Sequence, residues 1–177
     1  SPPASSNPAL LSSAPPREGL AFSLAPVCPD MAMSPPRRAM NSTPACWSVS
    51  VRDMANARVV SVNVGREISA SWAGGLKRTA IDKRPVAAAA AVGVLGLAGD
   101  EQADKAHHGG PDQALYAYAR EDLDWWTDWL RRELRGGMFG ENVTTDGLDV
   151  TGAVIGEIWR LGDVVVQVTS PRVPEPP

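Results

Sequence analysis

Residues 113–137 read QALYAYAREDLDWWTDWLRRELRGG, and this stretch decides the fold class. Its first part, 113–118, is apolar and aromatic and predicts a β-strand. Its second part, 120–135, predicts the one clear helix of the chain, because apolar residues recur at the spacing of one helix face. Those residues are Leu123, Trp126, Leu130 and Leu134. Acidic residues in the first turns and arginines in the last complement the helix dipole, and Gly136-Gly137 is expected to end the helix.

Short strands are predicted on both sides of this helix. RVVSVNV (58–64) alternates, with Val60, Val62 and Val64 on one face. Further strands are predicted at 66–69 as a hairpin partner of 58–64, at about 90–97, at 140–145, and at 154–160 and 164–168 around a turn at LGD (161–163). Six to eight short strands with one inserted helix predict a mainly β, α+β domain that is barrel-like and not doubly wound.

Residues 1–57 have a different composition from the rest of the chain. They hold 10 Pro, 10 Ser and 10 Ala, which is too little apolar surface to offset the entropy of ordering, so this segment is predicted to be disordered and residues 1–53 dispensable. Its few arginines also fit a transit peptide. The interpretation we favour is upstream sequence ahead of a start at Met54. Cys28 and Cys46 both fall here and are interpreted as incidental thiols, with a disulfide or a metal site as the alternative.

The charge balance and the known motifs exclude several function classes. The net charge is −3 with no basic stripe, which argues against nucleic-acid binding. No apolar run approaches the length of a membrane span. The predicted core contains no cysteine, which fits a reducing compartment, and we expect a cytoplasmic protein. No P-loop, no G-x-G-x-x-G and no G-x-S-x-G is present, so NTPase, Rossmann and α/β-hydrolase functions lose their usual support.

Four polar clusters at strand edges are the candidate functional residues. From them the candidate ligand-binding residues are Thr79, Lys83, His108, Gly109, Glu141, Asn142 and Arg172, together with the loop acids Asp100 and Asp104 as neighbours. Lys83 and Arg172 each lie close to a proline, which stiffens the backbone that carries the cation. Gly109-Gly110 permits a close backbone approach to an anion.

The pair His107-His108 has three possible interpretations. Zinc ligation is disfavoured, because adjacent histidines point apart in an extended chain and no cysteine joins them. A surface loop with an incidental pair and an anion or cofactor contact both stay open. No metal-ligating set is assigned from the sequence.

Taken together, three segments resemble a known family. GDEQADKAHHGGPDQALYAYAREDLDWW (99–126), FGENVTTDGLDV (139–150) and IGEIWRLGDVVVQVTSPRVP (155–174) are similar to the MOSC domain, named after the C-terminal part of molybdenum-cofactor sulfurase. The resemblance runs from about Arg58 to Pro174, and ARVVSVNVG (57–65) is similar to the usual start of such proteins.

The resemblance implies a MOSC-type β-barrel at 58–174 that binds a molybdenum cofactor or carries sulfur for one. It implies an oxidoreductase that reduces N-hydroxylated small molecules with electrons from a partner protein, and it also implies binding of a molybdenum ion and of pyridoxal phosphate. The guanidinium of Arg172 would hold the phosphate of the cofactor or a metal oxo group. We therefore expect Lys83, His108, Asn142 and Arg172 to converge on one pocket.

One position departs from the family pattern. The family places a cysteine after the PR-x-P segment, as a molybdenum ligand or persulfide carrier, and this chain has Glu175 there. A carboxylate is a poor soft ligand and carries no persulfide. The expectation is a domain that is incomplete at its C-terminus and has no catalytic residue at this position. A non-catalytic anion-binding barrel and a non-functional fragment are the alternatives.

Overall fold

The fold of this chain is mainly β with one α-helix. A computed structural model describes residues 21–27, 57–73, 75, 77–104 and 109–172. The strands are β1 (Ala21–Pro26), β2 (Arg58–Val64), β3 (Ile68–Ser69), β4 (Arg78–Thr79), β5 (Arg84–Pro85), β6 (Val92–Gly93), β7 (Gly96–Leu97), β8 (Leu115–Ala119), β9 (Val143–Asp146), β10 (Ile158–Leu161) and β11 (Val164–Arg172). The helix α1 spans Arg120–Leu130, and a 3-10 helix spans Pro111–Gln113.

Seven strands form one sheet in the order β10-β11-β1-β8-β9-β2-β5. Only β8 and β9 run parallel, and α1 provides the crossover between them. The other neighbours in this sheet pair antiparallel. β3 pairs with β4, and β6 pairs with β7, as two separate small hairpins. A closed barrel stays a prediction, because among the described residues β10 and β5 are the outer strands of an open order.

The two faces of the seven-stranded sheet differ in character. The core face packs the larger apolar cluster, which includes Phe22, Leu24, Leu115, Trp159 and Val166. The opposite face lies under α1, where Leu123 is fully buried beside Tyr118 and Leu134. This second face also carries polar side chains from neighbouring strands, and we call it the polar face.

The N-terminal strand β1 corrects the prediction that residues 1–57 are disordered. Residues 21–26 form an internal strand of the sheet, between β11 and β8, and Leu24 is fully buried. The local sequence AFSLAP alternates large and small residues, which suits a strand with two different faces. The average composition of residues 1–57 concealed this alternation. The rest of this segment, including Met54 and both cysteines, lies outside the described residues.

The helix is shorter than predicted. It ends at Leu130 because Arg131 adopts a left-handed conformation, φ 51°, and donates its backbone N–H to the carbonyl of Thr127. The hydroxyl of Thr127 then accepts from the backbone N–H of Leu134, which turns the chain back. Leu134 is buried outside the helix and Leu130 is exposed, so the predicted stripe continued one turn too far. The acidic first turn is confirmed, whereas the arginines follow the helix.

Several strand predictions are confirmed, and others are wrong. Strands β2, β8 and β9 and the β10–β11 hairpin lie where the pattern placed them. Residues 68–69 pair with β4 instead of β2. The predicted strand at 90–97 is two strands of two residues around Val94-Leu95. In β2 a bulge between Val59 and Ser61 exposes Val60, while Val62 and Val64 pack against the core face.

None of the helices within the described residues has the length and apolar character needed to cross a membrane.

Candidate functional site

The polar face carries a row of side chains from five neighbouring strands. In the order of the strands from β11 to β2, these residues are Arg172, Ser23, Tyr116, Asn142 and Asn63. Asn142 directly precedes β9, and its backbone N–H donates to the carbonyl of Tyr116 at 2.8 Å. Register pairing places Ser23 beside Tyr116, whereas Arg172 pairs with Ala21 and so lies two residues along β1 from Ser23, on the same side of the sheet.

A buried ion pair anchors one end of this row. The ammonium of Lys83 lies 2.5 Å from one oxygen of Asp100, and both side chains are more than nine-tenths buried. The same oxygen accepts the backbone N–H of Gly65, and the other accepts the side-chain amide of Asn142 at 2.8 Å. The charge of Lys83 is therefore neutralised inside the protein. Through Asp100, Lys83 connects the start of β5 with the loop after β7.

Asn142 connects this ion pair to β8. Its side-chain amide donates to Asp100 and to the carbonyl of Asn63, and its carbonyl oxygen accepts the backbone N–H of Tyr116 at 3.2 Å. All its polar atoms are thus used within the protein. Asn142 is a positioning residue between Asp100 and Tyr116, and it has no group left to hold a ligand.

Glu141 is fully buried and closes the loop before β9. Its carboxylate accepts the backbone N–H groups of Gly137 and Phe139 and the hydroxyl of Thr144. Burial raises the pKa of the Glu141 carboxyl, and the hydrogen bond from Gly137 is the largest opposing effect. This carboxylate orders the 137–141 turn and points at protein groups only.

Arg172 at the other end of the row is half-buried and differs from Lys83. Its guanidinium lies 5.0 Å from the centre of the Tyr116 ring and donates to the neutral amide oxygen of Gln113 at 3.2 Å. Within the part of the chain that the structure describes, no carboxylate pairs with Arg172. Its charge and its remaining donors are available to an anion. The pKa of the Tyr116 phenol is raised, first by burial and then by the charge of Glu141, while Arg172 opposes the rise.

The structure therefore brings together some of the sequence-predicted residues and separates others. Lys83, Glu141 and Asn142 lie in one network, and Arg172 joins it through Tyr116. Thr79 lies apart in β4, where its hydroxyl accepts the backbone N–H of Ile81. Gly109 packs so closely on the side chain of Gln102 that an added Cβ would clash. His108, with His107, Lys105 and Glu175, lies outside the described residues.

Sequence reasoning missed three contributors to this site. Ser23 was overlooked because it lies in the Pro/Ser/Ala-rich segment, although the alternation of AFSLAP was a usable signal. Tyr116 was assigned to a strand but not to the site. Asn63 also escaped notice, since its contacts with Thr144 and Asn142 join residues about 80 positions apart. No local pattern encodes such contacts.

The described residues fit a molybdenum cofactor only in part. The phosphate end of such a group fits Arg172, whose guanidinium has no charged partner among the described residues, and does not fit Lys83, whose ammonium is already paired. For the metal itself, no cluster of three His, Cys, Asp or Glu side chains occurs in residues 21–27, 57–73, 75, 77–104 and 109–172. Both cysteines of the sequence lie outside these ranges. Binding of pyridoxal phosphate stays a prediction.

A family model now connects this geometry to known proteins. Residues 104–174 match the model described as MOSC domain. This part of the chain is therefore similar to a MOSC domain. The matched segment runs from the loop before the 3-10 helix to the end of β11, so it includes Tyr116, Glu141, Asn142 and Arg172. Ser23 and the ion pair of Lys83 with Asp100 lie outside it.

Individual proteins are similar over a larger part of the chain. Uncharacterized protein YflK of Bacillus subtilis is 40% identical over 116 residues, which are 66% of this chain and 52% of that protein. Protein YiiM of Escherichia coli is 45% identical over 83 residues, 45% of this chain and 37% of that protein. A reductase of Gibberella moniliformis is 31% identical over 123 residues, 66% of this chain and 21% of that protein.

The crystal structure of YiiM from Geobacillus stearothermophilus is 33% identical and covers 66% of this chain and 51% of that chain, with a TM-score of 0.49. The chain spans about half, or less, of the length of the relatives it matches.

Proposed function

We propose that this MOSC-like domain binds a phosphate-bearing molybdenum cofactor at Arg172 and belongs to an oxidoreductase of N-hydroxylated small molecules. The observation that carries the proposal is the Arg172 guanidinium, which is stacked on Tyr116 without a carboxylate partner among the described residues. A guanidinium of this kind recognises a phosphate by paired, charge-assisted hydrogen bonds. The printed name of one relative, a reductase that is 31% identical over 123 residues, supports the redox class.

The protein's part in this function is binding and orientation. The guanidinium of Arg172 lies over the Tyr116 ring and donates to Gln113, and Asn142 accepts the backbone N–H of Tyr116. When bound, the molybdenum cofactor would supply the two-electron chemistry of the reduction. The described residues offer no thiolate to the metal, so we derive no step at the metal. A small-molecule substrate and a protein electron donor are part of the proposal.

A second candidate is a non-catalytic domain that binds a phosphate-bearing ligand. The same open guanidinium supports it, together with Glu175 in the position after SPRVP, where a carboxylate replaces the thiolate that sulfur transfer and soft ligation need. In this candidate the domain binds the anion but neither retains molybdenum nor reduces the substrate.

The test is expression in cells that make molybdenum cofactor, followed by metal analysis and an assay with an N-hydroxylated base and a chemical electron donor. We expect the unmodified chain to retain less molybdenum than Glu175→Cys, and Arg172→Ala to lose retention in both backgrounds. Arg160→Ala removes the same charge from an exposed position in β10 and is the matched control. Phosphate binding without molybdenum in the unmodified chain and in Glu175→Cys, lost in Arg172→Ala, would favour the second candidate. Equal retention by the unmodified chain and Glu175→Cys would show that a thiolate is not required.

A further inference from the structure

We propose that Ser23 of β1 is a second anion-binding residue beside Arg172, and that Arg172 uncovers it when a phosphate group binds. This inference rests on the proposed function, because it uses the same anion site. It adds a residue from a strand outside the matched segment 104–174. The ligand class is a phosphate monoester or another tetrahedral oxyanion.

The first observation is an unsatisfied hydroxyl. The side-chain oxygen of Ser23 is fully buried and has no hydrogen-bond partner among the described residues. The carbonyl of Ser23, by contrast, accepts the hydroxyl of Thr169 at 2.9 Å. Burying a hydroxyl without a partner costs free energy, so such a group is retained where something else uses it.

The second observation is the register of the three strands. Ser23 pairs with Tyr116 on β8 and with Ser170 on β11, and Ala21 pairs with Arg172. These side chains share the polar face, because register partners and residues two apart point the same way. The hydroxyls of Ser23 and Ser170 are therefore neighbours on the face that the guanidinium of Arg172 crosses.

The third observation is the path of the Arg172 side chain across β1. Adjacent strands lie about 4.8 Å apart, so β8 and β11 are separated by roughly 10 Å with β1 between them. Arg172 spans that gap to reach the Tyr116 ring, and it passes over β1 where Ala21 and Ser23 are small. In the proposed arrangement this crossing guanidinium covers the Ser23 hydroxyl, whose register partner on β8 is Tyr116.

Binding of an anion favours an arrangement in which the Arg172 guanidinium has moved off the Tyr116 ring. The contacts that hold Arg172 in place are one hydrogen bond to a neutral amide and the stacking on Tyr116. A charge-assisted bond to a phosphate oxygen is about twice as strong as a neutral one, so an anion can draw the guanidinium off the ring. The Ser23 hydroxyl then becomes a donor to the same anion.

A surface depression bordered by Gln113 and Ser170 offers room for the rest of the ligand, although neither Arg172 nor Ser23 lines it. It measures about 480 Å³, and its walls include Gln113, Thr169 and Ser170. Asp112 also lines it, so the negatively charged end of a ligand is expected at the Arg172 side and not against Asp112.

The experiment titrates the full chain with inorganic phosphate and measures the dissociation constant by calorimetry. We expect Ser23→Ala to bind phosphate at least fivefold more weakly than the unmodified chain, and Arg172→Ala to lose binding. Ser69→Ala, the same change at an exposed position in β3, is the matched control. The free Ser23→Ala protein should unfold at the same or a higher temperature, because this hydroxyl has no hydrogen bond to lose. A purely structural role would change the unfolding temperature and leave the dissociation constant alone.

The possible outcomes separate this inference from the proposed function. Unchanged phosphate affinity in Ser23→Ala, with binding lost in Arg172→Ala, overturns the role of Ser23 alone. No phosphate binding by the unmodified chain overturns both the role of Ser23 and the anion site of Arg172. Ser23-dependent phosphate binding supports the inference even if the chain retains no molybdenum. A change in the Tyr116 ring resonances on adding phosphate tests the uncovering, and unchanged resonances in a phosphate-saturated protein would contradict it.

Discussion

The guanidinium of Arg172 lies 5.0 Å from the centre of the Tyr116 ring although a whole strand separates the two residues in the sheet. The intervening strand is β1, which offers Ala21 and Ser23 at the crossing point. A cation over an aromatic ring is worth about 0.5–2 kcal/mol, depending on desolvation. The contact therefore depends on small residues in β1 as much as on its two partners.

The first prediction concerns the contribution of β1 to stability. Leu24 is fully buried in the core face, so Leu24→Ala should lower the free energy of unfolding by about 2–5 kcal/mol. Urea denaturation measures the change. Leu95→Ala is the control, because Leu95 is 66% exposed, and a loss within about 0.5 kcal/mol is expected there. Equal, small losses in both variants would mean that β1 does not hold its place in the sheet.

The second prediction concerns the ion pair of Lys83 and Asp100. Asp100→Asn should lower the free energy of unfolding by about 3–5 kcal/mol, because it leaves a buried ammonium without a counter-charge. Lys83→Met combined with Asp100→Asn removes both charges and should cost less than the sum of the single changes. A double-mutant cycle from denaturation curves gives the coupling, expected at about 0.5–3 kcal/mol. Additive single effects would show that the two groups do not interact.

The third prediction uses two glycines with positive φ. Gly137 has φ 85°, and a Cβ there would clash with the carbonyl oxygen of Lys83, whereas Gly162 has φ 64° and open space around it. Gly162→Ala should cost about 1–2 kcal/mol for the left-handed conformation alone. Gly137→Ala should cost clearly more, since it adds a clash with backbone beside the Glu141 turn. Thermal unfolding compares them, and equal shifts would contradict the packing around Gly137.

The fourth prediction concerns the ionisation of the tyrosines. Tyr116 and Tyr118 are the two tyrosines of the chain. Burial raises the pKa of Tyr118 to about 12, and it raises the pKa of Tyr116 as well. The native protein should therefore show little phenolate absorbance at about pH 10–11, where unfolded tyrosines, with a pKa of about 10, ionise.

The raised pKa values of the two tyrosines also determine the direction in which stability changes with pH. The folded state holds these protons more tightly than the unfolded state, so stability should fall as pH rises above about 10 and level off above the folded pKa values. Circular dichroism on the same samples checks that the protein stays folded during the titration. Phenolate appearing in the native protein at its ordinary pKa would show that neither ring is buried as described.

The sequence predicted the elements whose pattern is local and strong. The β10–β11 hairpin around LGD and the start of α1 are examples, because turn chemistry, periodicity and charge agree there. The end of α1 was missed, since Arg131 adopts a left-handed conformation that glycine usually supplies. β1 was missed because six residues of strand are diluted in a segment of prolines, serines and alanines.

The candidate site was predicted less completely, for a different reason. Lys83, Asn142 and Arg172 lie at strand ends, as the sequence indicated, but their roles depend on contacts between distant positions. Asp100 neutralises the charge of Lys83 and accepts a hydrogen bond from the side-chain amide of Asn142. Two of the predicted ligand contacts are therefore contacts within the protein. The charge of Arg172 stays available to an anion because Gln113, to which Arg172 donates a hydrogen bond, is neutral. Partners of this kind follow from the strand order, which no short motif contains.

The internal position of β1 also limits how early the sheet can be completed during synthesis. β1 leaves the ribosome before either of its neighbours, and the hydroxyl of Thr169 that bonds the carbonyl of Ser23 is made 146 residues later. At about 5–20 residues per second, that interval lasts roughly 7–30 s. For that time Phe22 and Leu24 lack their partners on β11, so the pairing of β1 with β11 is among the last contacts of the sheet to form.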